Sequence, residues 1–178
     1  MYQEARVYDA PIGFLDPCTI FQTYLRPKPK AVEKYLADVM YRCQKKSHIL
    51  GAYNFNDHWI LVVLRPLDGY MIVLDSLDYN QDELTTDMLG KVGCMTNKRK
   101  KCRTLPCHKQ PPHTVVCGYY VCHYMRKFVE DPAFESKCET RPNRSALAQS
   151  ELTKIRGEMC YFLMSQVIKE TGEFYDPC

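Results

Sequence analysis

The sequence predicts an α+β fold, in which a central mixed β-sheet is packed between helices. Between residues 48 and 75, short apolar or aromatic runs alternate with turn-forming residues, a pattern typical of neighbouring strands. On both sides of this region, apolar residues recur at intervals of three and four, a pattern typical of helices with one buried face. The 178 residues are enough for one domain with its own core. We therefore expect a single domain over residues 1–178, which can be the C-terminal part of a longer protein.

The composition narrows the class of protein. Hydrophobic residues make up 46% and charged residues 25% of the chain, as in soluble globular proteins. No apolar run is long enough to cross a bilayer, and residues 1–11 lack the pattern of a signal peptide. The net charge of +3 is too small to indicate nucleic-acid binding by itself. We expect no membrane partner.

Ten cysteines raise the question of disulfides or metal. An even number permits a disulfide framework, but the chain is long and lacks a secretion signal. Cys94, Cys102, Cys107 and His108 suggest zinc, yet they include no Cys-x2-Cys pair and match no common zinc module. Reduced thiols in the nucleus or the cytoplasm are the favoured state. We expect neither a metal nor an organic cofactor.

The N-terminal third predicts two helices. Residues 1–11 form an N-terminal segment, and residues 13–17 are predicted to turn into the first helix, with Asp16 as its N-cap and Pro17 at its first position. The first helix carries Ile20, Phe21, Tyr24 and Leu25 on one face and ends before Pro27. The second spans roughly residues 30–45 and carries Val32, Leu36, Val39, Met40 and Cys43 on one face.

Three strands follow, over residues 48–53, 58–64 and 70–75. The last two lack polar alternation, which predicts strands buried on both faces in the middle of the sheet. The short connection containing Asp68-Gly69 predicts an antiparallel hairpin.

The hairpin brings two ionisable residues together. If Leu64 and Gly69 are opposite each other, then His58 is opposite Asp75, close enough for an imidazole–carboxylate hydrogen bond. A register one residue away would place the two side chains on opposite faces. The pair can also be an ordinary surface pair, so this pattern alone does not establish a site.

The segment around Cys117 is the strongest chemical signal. Apolar residues from Cys117 to Phe128 follow helical spacing, and Pro132 ends the helix. Cys117 therefore lies at a helix N-terminus, where the backbone N–H groups and the helix dipole favour the nucleophilic thiolate. Gln110 can offer its side-chain N–H to a developing oxyanion. The alternative is an inert core cysteine.

The remaining segments carry weaker signals. Residues 80–93 are predicted to form a helix, and residues 133–144 to form turns. The basic run Lys98–Arg103 is predicted to be a solvated loop, a contact for an acidic partner surface or a nuclear-import signal. A long helix is predicted over residues 146–170, and its inward-facing side chains are Leu152, Ile155, Met159, Phe162, Leu163 and Val167.

Four short motifs together resemble the ubiquitin-like-protein-specific proteases, which include the SUMO proteases and the adenoviral protease. The motifs are His58-Trp59, Leu74-Asp75-Ser76, Gln110-Pro111 and the run from Cys117 to Cys122. The resemblance covers the whole chain, and the sequence around His58 and Cys117 is most similar to the plant, transposon-associated branch. It implies a cysteine-protease fold of the SUMO-protease and adenain type.

The resemblance also implies roles for individual residues. His58, Asp75 and Cys117 match the catalytic triad, and Gln110 matches the glutamine of the oxyanion hole. Trp59, Phe14 and Gly118 match positions that bind the glycine tail of the substrate. The chain departs from the family at Phe14, where a tryptophan is usual, in a shorter interval between Asp75 and Cys117, and in a Gln110-to-Cys117 spacing one residue longer, as in the adenoviral relatives.

The predicted activity is thiol hydrolysis of peptide or isopeptide bonds after the C-terminal glycines of SUMO or another ubiquitin-like modifier. The expected partners are that modifier and its conjugates, bound by a monomer. One alternative is a catalytically silent, transposon-derived binding module of the same fold. Another is acetyl transfer, which some bacterial effectors of the same clan carry out. Nucleic-acid binding through residues 98–103 is disfavoured because no aromatic stacking residues accompany the charges.

Overall fold

A computed structural model describes residues 5, 9–20, 29–55, 57–77 and 101–175. The strands are β1 (Ile12–Phe14), β2 (His48–Phe55), β3 (His58–Arg65), β4 (Tyr70–Leu74) and β5 (Lys101–Thr104). The helices are α1 (Pro17–Ile20), α2 (Pro29–Arg42), α3 (Cys117–Glu130), α4 (Phe134–Thr140) and α5 (Gln149–Phe162), and α5 continues as a π-helical segment, Leu163–Ile168. None of these helices is long and apolar enough to cross a membrane.

The strands form one mixed sheet in the order β1-β2-β3-β4-β5. β2, β3 and β4 are antiparallel neighbours, whereas β1 runs parallel to β2 and β5 runs parallel to β4. Helices pack on both faces of this sheet. The α+β class and the mixed sheet predicted from the sequence are confirmed.

β3 shows why its sequence lacks polar alternation. Its residues 60–64 are all buried, and they point alternately into two cores. Leu61 and Val63 pack in the core that includes Tyr120 of α3. The alternate residues, Ile60, Val62 and Leu64, pack in the core that includes Leu36 of α2. Burying each such aliphatic side chain stabilises the fold by about 1.5–3 kcal/mol, so the central strand is a major source of stability.

The β3–β4 hairpin is present, but its predicted register is wrong by two residues. Arg65, and not Leu64, closes the turn by pairing with Tyr70, and Leu61 pairs with Leu74. Gly69 takes a positive φ of 68° in the turn, and its N–H donates to the carbonyl of Arg65 at 2.9 Å. Because the side-chain period of a strand is two, a shift of two residues leaves every side chain on its predicted face.

The N-terminal prediction needs one correction. Gly13 and Phe14, predicted to lie in a turn, belong to β1 and pair with Ile49 and Leu50. A Cβ on Gly13 would lie 2.7 Å from Sγ of Cys43, so close packing explains the glycine. The predicted N-cap is confirmed, since Oδ1 of Asp16 accepts the N–H of Cys18 at 2.9 Å. Residues 21–28, where the first helix was predicted to continue, lie outside the described residues.

The basic run was predicted to be a solvated loop, and for residues 101–103 this is wrong. These residues lie in β5, which extends the sheet beside β4. The Arg103 guanidinium is neutralised by hydrogen-bonded contacts to Glu135 and Glu139 of α4. Pairing with an existing strand and with these carboxylates overrides the weak strand preference of a basic segment. Residues 98–100 and the helix predicted over residues 80–93 lie outside the described residues.

The C-terminal predictions are partly wrong. Residues 134–140, predicted to form turns, make up helix α4. In α5 and the π-helical segment that continues it, Leu152 and Ile155 are buried as predicted, but Met159, Phe162 and Leu163 are between 41% and 48% exposed. Helical spacing identifies the residues that share a face, but it does not indicate how far along that face a neighbouring element extends.

Candidate active site

Three secondary-structure elements meet at the site, and each contributes one predicted residue. His58 is the first residue of β3, Asp75 directly follows β4, and Cys117 is the first residue of α3. Each of the three lies where an element begins or ends, so its side chain is held by the sheet and the helix instead of by a long loop.

His58 and Asp75 form a buried hydrogen-bonded pair. Nε2 of His58 lies 2.6 Å from Oδ1 of Asp75, and their side chains are 5% and 1% exposed. The same carboxylate oxygen accepts the backbone N–H of Leu77 at 2.8 Å. The Asp75 carboxylate is therefore held by two contacts, and it in turn holds the His58 ring with Nε2 toward Asp75.

The other ring nitrogen of His58, Nδ1, remains for Cys117, and the thiol and the imidazole are hydrogen-bonded. Burial by itself lowers the pKa of His58, but the hydrogen bonds to Asp75 and Cys117 outweigh it and raise the pKa to about 9. Burial raises the pKa of the Cys117 thiol, and this is outweighed by the hydrogen bond to His58 and by backbone hydrogen bonds, so the thiol pKa lies below its ordinary value. The two shifts favour a thiolate–imidazolium pair.

Two backbone N–H groups also donate hydrogen bonds to the sulfur of Cys117. They belong to Trp59, which follows His58 in β3, and to Gly118, the second residue of α3. Within the described chain, no side chain caps the N-terminus of α3, where the preceding residue is Val116. The first turn of the helix therefore directs an N–H at the thiol without competition from a capping oxygen. The sequence reasoning did not foresee the role of the Trp59 N–H.

Gln110 is buried against Ser76, the residue after Asp75, and 5% of its surface is exposed. Its amide oxygen accepts the hydroxyl of Ser76 at 2.8 Å, and its backbone N–H donates to the carbonyl of Ser76 at 2.9 Å. Its amide nitrogen donates to the carbonyl of Thr114 at 2.7 Å. An amide nitrogen carries two hydrogens, so one donor remains for a ligand.

The segment that carries Gln110 is fastened to both the sheet and α3. Lys109 Nζ donates to the carbonyl of Asp75 at 2.7 Å, and Cys107 Sγ donates to the same oxygen at 3.2 Å. From α3, the hydroxyl of Tyr120 donates to the carbonyl of Lys109 at 3.2 Å and that of Tyr124 to the carbonyl of His108 at 2.6 Å.

Sequence reasoning missed these supporting residues. The motif Leu74-Asp75-Ser76 predicts no role for Ser76, and the apolar spacing from Cys117 to Phe128 predicts only that Tyr124 is buried. The sequence spacing that could have found the two tyrosines is their separation of four residues, which stacks them on one face of α3.

The predicted substrate-binding residues divide between two cavities. Trp59 and Gly118 line a cavity of about 410 Å³ together with Cys117, Tyr119 and Met125. Phe14 lines a different cavity, of about 630 Å³. The structure thus brings Trp59 and Gly118 to the thiol and places Phe14 at a separate concavity.

The two described cysteines among the residues weighed as zinc ligands, Cys102 and Cys107, lie on opposite faces of the sheet. Cys102 packs against the core on the α2 side of the sheet, and Cys107 lies in the core on the α3 side. Nδ1 of His108 is hydrogen-bonded to the carbonyl of Ser145. Cys94 lies outside the described residues, and the described part of the chain contains no group of three His, Cys, Asp or Glu side chains placed to hold a metal ion.

No protein-family model matches the sequence, and no curated protein matches it. Solved structures do resemble the fold. A structure of the SUMO protease Ulp1 with its catalytic cysteine oxidised to a sulfenic acid aligns with a TM-score of 0.61 at 16% identity, covering 92% of this chain and 73% of that one. The Ulp1 protease domain in complex with Smt3, the yeast orthologue of SUMO, aligns with a TM-score of 0.53 at 14% identity, covering 87% and 69%.

A mutant of Xanthomonas XopD aligns with a TM-score of 0.59 at 11% identity, covering 90% of this chain and 97% of that one. At such identities these similarities establish the fold alone. The chain has the α+β fold of the Ulp1 protease, as the sequence predicted.

Proposed function

We propose that this protein is a cysteine protease that hydrolyses the peptide or isopeptide bond after the C-terminal glycines of SUMO or another ubiquitin-like modifier. The observation that carries the proposal is the hydrogen-bonded series Cys117–His58–Asp75, in which the thiol pKa is lowered and the imidazole pKa is raised. A thiolate beside an imidazolium is the resting state of a thiol protease.

The arrangement supports a two-step reaction. The Cys117 thiolate attacks the scissile carbonyl carbon, and the carbonyl electrons move to the oxygen. As the C–N bond breaks, His58 gives its proton to the departing amine, which leaves a thioester on Cys117. His58 then accepts a proton from water, the water oxygen attacks the thioester, and Cys117 departs as thiolate. Asp75 keeps the imidazole in the orientation that both proton transfers require.

Gln110 has the role of oxyanion donor in this proposal. Its amide nitrogen uses one hydrogen for Thr114, and the second is available for the negative oxygen that develops during attack. A donor fixed before the reaction stabilises the transition state without a reorganisation cost. Because Gln110 is buried and hydrogen-bonded at both ends of its amide, it satisfies this condition.

The shape and lining of the cavity beside Cys117 favour a substrate with a narrow tail. Trp59 and Tyr119 contribute its aromatic surface, and Gly118 adds no side chain. A pair of C-terminal glycines has no side chain to collide with these walls, so a glycine tail fits the chemistry of the cavity. That Ulp1 is seen in complex with Smt3 supports SUMO as the first modifier to try.

The finer parts of the proposal rest on the sequence alone. They are the kinship with the plant, transposon-associated branch, the role of Phe14 in substrate binding, action as a monomer, and residence in the nucleus or cytoplasm. Deconjugation of modified proteins and processing of modifier precursors are both included in the proposed activity, since the same bond chemistry serves both.

The test is covalent labelling with a panel of ubiquitin-like proteins that carry C-terminal vinyl sulfone groups, followed by intact mass measurement. We expect a single adduct with at least one modifier, no adduct with Cys117→Ala, and much slower labelling of His58→Ala. Cys18→Ala serves as the control, because Cys18 is exposed and distant in the chain from the site. If the folded wild type forms no adduct with any modifier, the proposed protease activity is contradicted, and the alternative of a binding module that retains the fold is favoured.

A further inference from the structure

An oxyanion donor of the glutamine type works only in one orientation of its amide. The nitrogen end of the Gln110 amide must face the substrate, because the oxygen end would repel a developing negative charge. Both ends have similar shape, so the surrounding hydrogen bonds must select the orientation. The carbonyl of Thr114 does so here, and the hydroxyl of Ser76 donates to the amide oxygen and holds the amide in place.

The two contacts have different consequences. The carbonyl of Thr114 can only accept a hydrogen bond, and it lies 2.7 Å from the Gln110 amide nitrogen, so it rejects the flipped amide. The hydroxyl of Ser76 lies 2.8 Å from the amide oxygen and satisfies it in a buried place. Ser76 itself is 1% exposed, so water does not readily take over its contact. Without the hydroxyl, the amide oxygen would be buried without its donor, which is costly.

Ser76 also links the two halves of the site. It directly follows Asp75, and the pair 75–76 is joined to the pair 109–110 by three hydrogen bonds. Lys109 donates to the carbonyl of Asp75, Gln110 donates through its backbone to the carbonyl of Ser76, and Ser76 donates through its side chain to Gln110. The segment that ends β4 therefore positions both the carboxylate behind His58 and the amide of Gln110.

We propose that Ser76 is a positioning residue for catalysis, which anchors the oxygen end of the Gln110 amide and so keeps the nitrogen end in the orientation that the Thr114 carbonyl selects. This inference rests on the proposed protease function. Ser76 does not touch the reacting atoms, and its effect on the reaction passes through Gln110. The sequence Asp75-Ser76 thus supplies two adjacent side chains with different catalytic consequences, one acting on proton transfer and the other on charge stabilisation.

A double-mutant cycle on cleavage of the best modifier tests the proposal. Ser76→Ala keeps the backbone contact and removes only the hydroxyl. We expect kcat to fall by about tenfold or more with little change in KM, whereas Gln110→Ala falls by about 10²–10³, the usual cost of removing one oxyanion donor. In the Gln110→Ala background, Ser76→Ala should cost nothing further. Loss of the same factor in both backgrounds would overturn the proposal.

Two further variants separate positioning from folding. Ser76→Cys keeps a weaker donor of similar size and should recover part of kcat. Ser47→Ala is the matched control, because the Ser47 hydroxyl donates to the carbonyl of Pro11 at 3.0 Å, away from the site, and its loss should leave kcat unchanged. The rate of Cys117 alkylation by iodoacetamide should be the same in Ser76→Ala and wild type, since the thiolate is not affected.

A measurement that needs no turnover keeps this test independent of the substrate. The side-chain NH2 resonances of Gln110 can be assigned by their disappearance in Gln110→Ala. We expect Ser76→Ala to shift or broaden them and to speed their exchange with solvent. Unchanged resonances would overturn the positioning role even if the wild type cleaved no modifier, whereas absence of cleavage with altered resonances would count against the protease function only.

Discussion

Nε2 of His58 lies 2.6 Å from Oδ1 of Asp75, although the two residues are not directly opposite each other in the sheet. The pairing of Leu61 with Leu74 places Asp75 across from Ile60, so His58 is its diagonal neighbour. Diagonal neighbours on one face lie close enough for long side chains to meet. The contact tolerates the shift of two residues from the predicted register because that shift preserves the face.

The raised pKa of His58 predicts the pH dependence of the reaction. Below the lowered pKa of Cys117 the thiolate is protonated, and above about 9 the imidazolium loses its proton, so kcat/KM should fall on both sides. Asp75→Asn removes the carboxylate that raises the pKa of His58. The alkaline limb of the profile should therefore move to lower pH, and the rate at the optimum should fall. An alkaline limb that stays near 9 in Asp75→Asn would contradict the assigned role of Asp75.

Replacement of two helical glycines separates substrate binding from helix stability. A Cβ on Gly118 or on Gly157 would meet no atom within 4 Å, so alanine should be accepted at both positions and should add up to about 1 kcal/mol to the free energy of unfolding. Only Gly118 lines the cavity beside Cys117, so only Gly118→Ala should raise KM. Denaturant unfolding and steady-state kinetics check both expectations, and equal KM values would remove Gly118 from the substrate site.

Tyr124 should support both the fold and the site. Tyr124→Phe removes the donor to the carbonyl of His108, in a partly buried hydrogen bond, which should lower the free energy of unfolding by about 0.5–1.5 kcal/mol. Because the same segment carries Gln110, kcat should fall as well. Tyr161→Phe is the matched control, since Tyr161 is 76% exposed and its hydroxyl should matter by less than about 0.5 kcal/mol. Urea unfolding together with kcat would show whether the two effects occur together.

Glu135 joins α4 to the sheet and should be a stability residue without a role in turnover. Its carboxylate is bound by His48 and Arg65 at 2.9 Å each, by Tyr70 at 3.0 Å and by Arg103. Glu135→Gln should lower the free energy of unfolding by about 1–3 kcal/mol. Glu139→Gln, at a more exposed carboxylate that also binds Arg103, should change it by less than about 0.5 kcal/mol.

The effect of Glu135→Gln should depend on pH. Burial raises the pKa of Glu135, but its hydrogen bonds outweigh burial and hold the pKa below the ordinary value of 4.5. The carboxylate therefore contributes stability above that value and loses it as pH falls through the folded-state pKa. The difference between wild type and Glu135→Gln should be largest at neutral pH and should shrink in acid. A difference that grows in acid would contradict the network.

The sequence predicted the parts of the fold that depend on local patterns. The hairpin, the start of α3 at Cys117 and the N-cap at Asp16 each follow from apolar spacing or turn chemistry near one position. Strand β5 and helix α4 were missed because they depend on each other across the chain, through Arg103 with Glu135 and Glu139. Such long-range pairing is absent from any window of sequence.

The candidate site divides in the same way. His58, Asp75 and Cys117 could be found because their residue types are distinctive. In addition, the alternation of side chains along the hairpin places His58 and Asp75 on the same face of the sheet. Thr114 could not be found, since it contributes a backbone carbonyl that any residue possesses. The exposure of Met159 was also missed, because Met159 lines the cavity beside Cys117, which the spacing within α5 does not reveal.

The residue before α3, Val116, offers no capping side chain, and this has a consequence for engineering heat resistance. An aspartate or serine at this position would be an obvious way to strengthen the helix, by about 1 kcal/mol. Its oxygen would compete with the Cys117 sulfur for the N–H of Gly118, and an aspartate would also disfavour the thiolate by charge repulsion. A variant stabilised in this way would have a lower kcat, so thermal stability and turnover oppose each other at position 116.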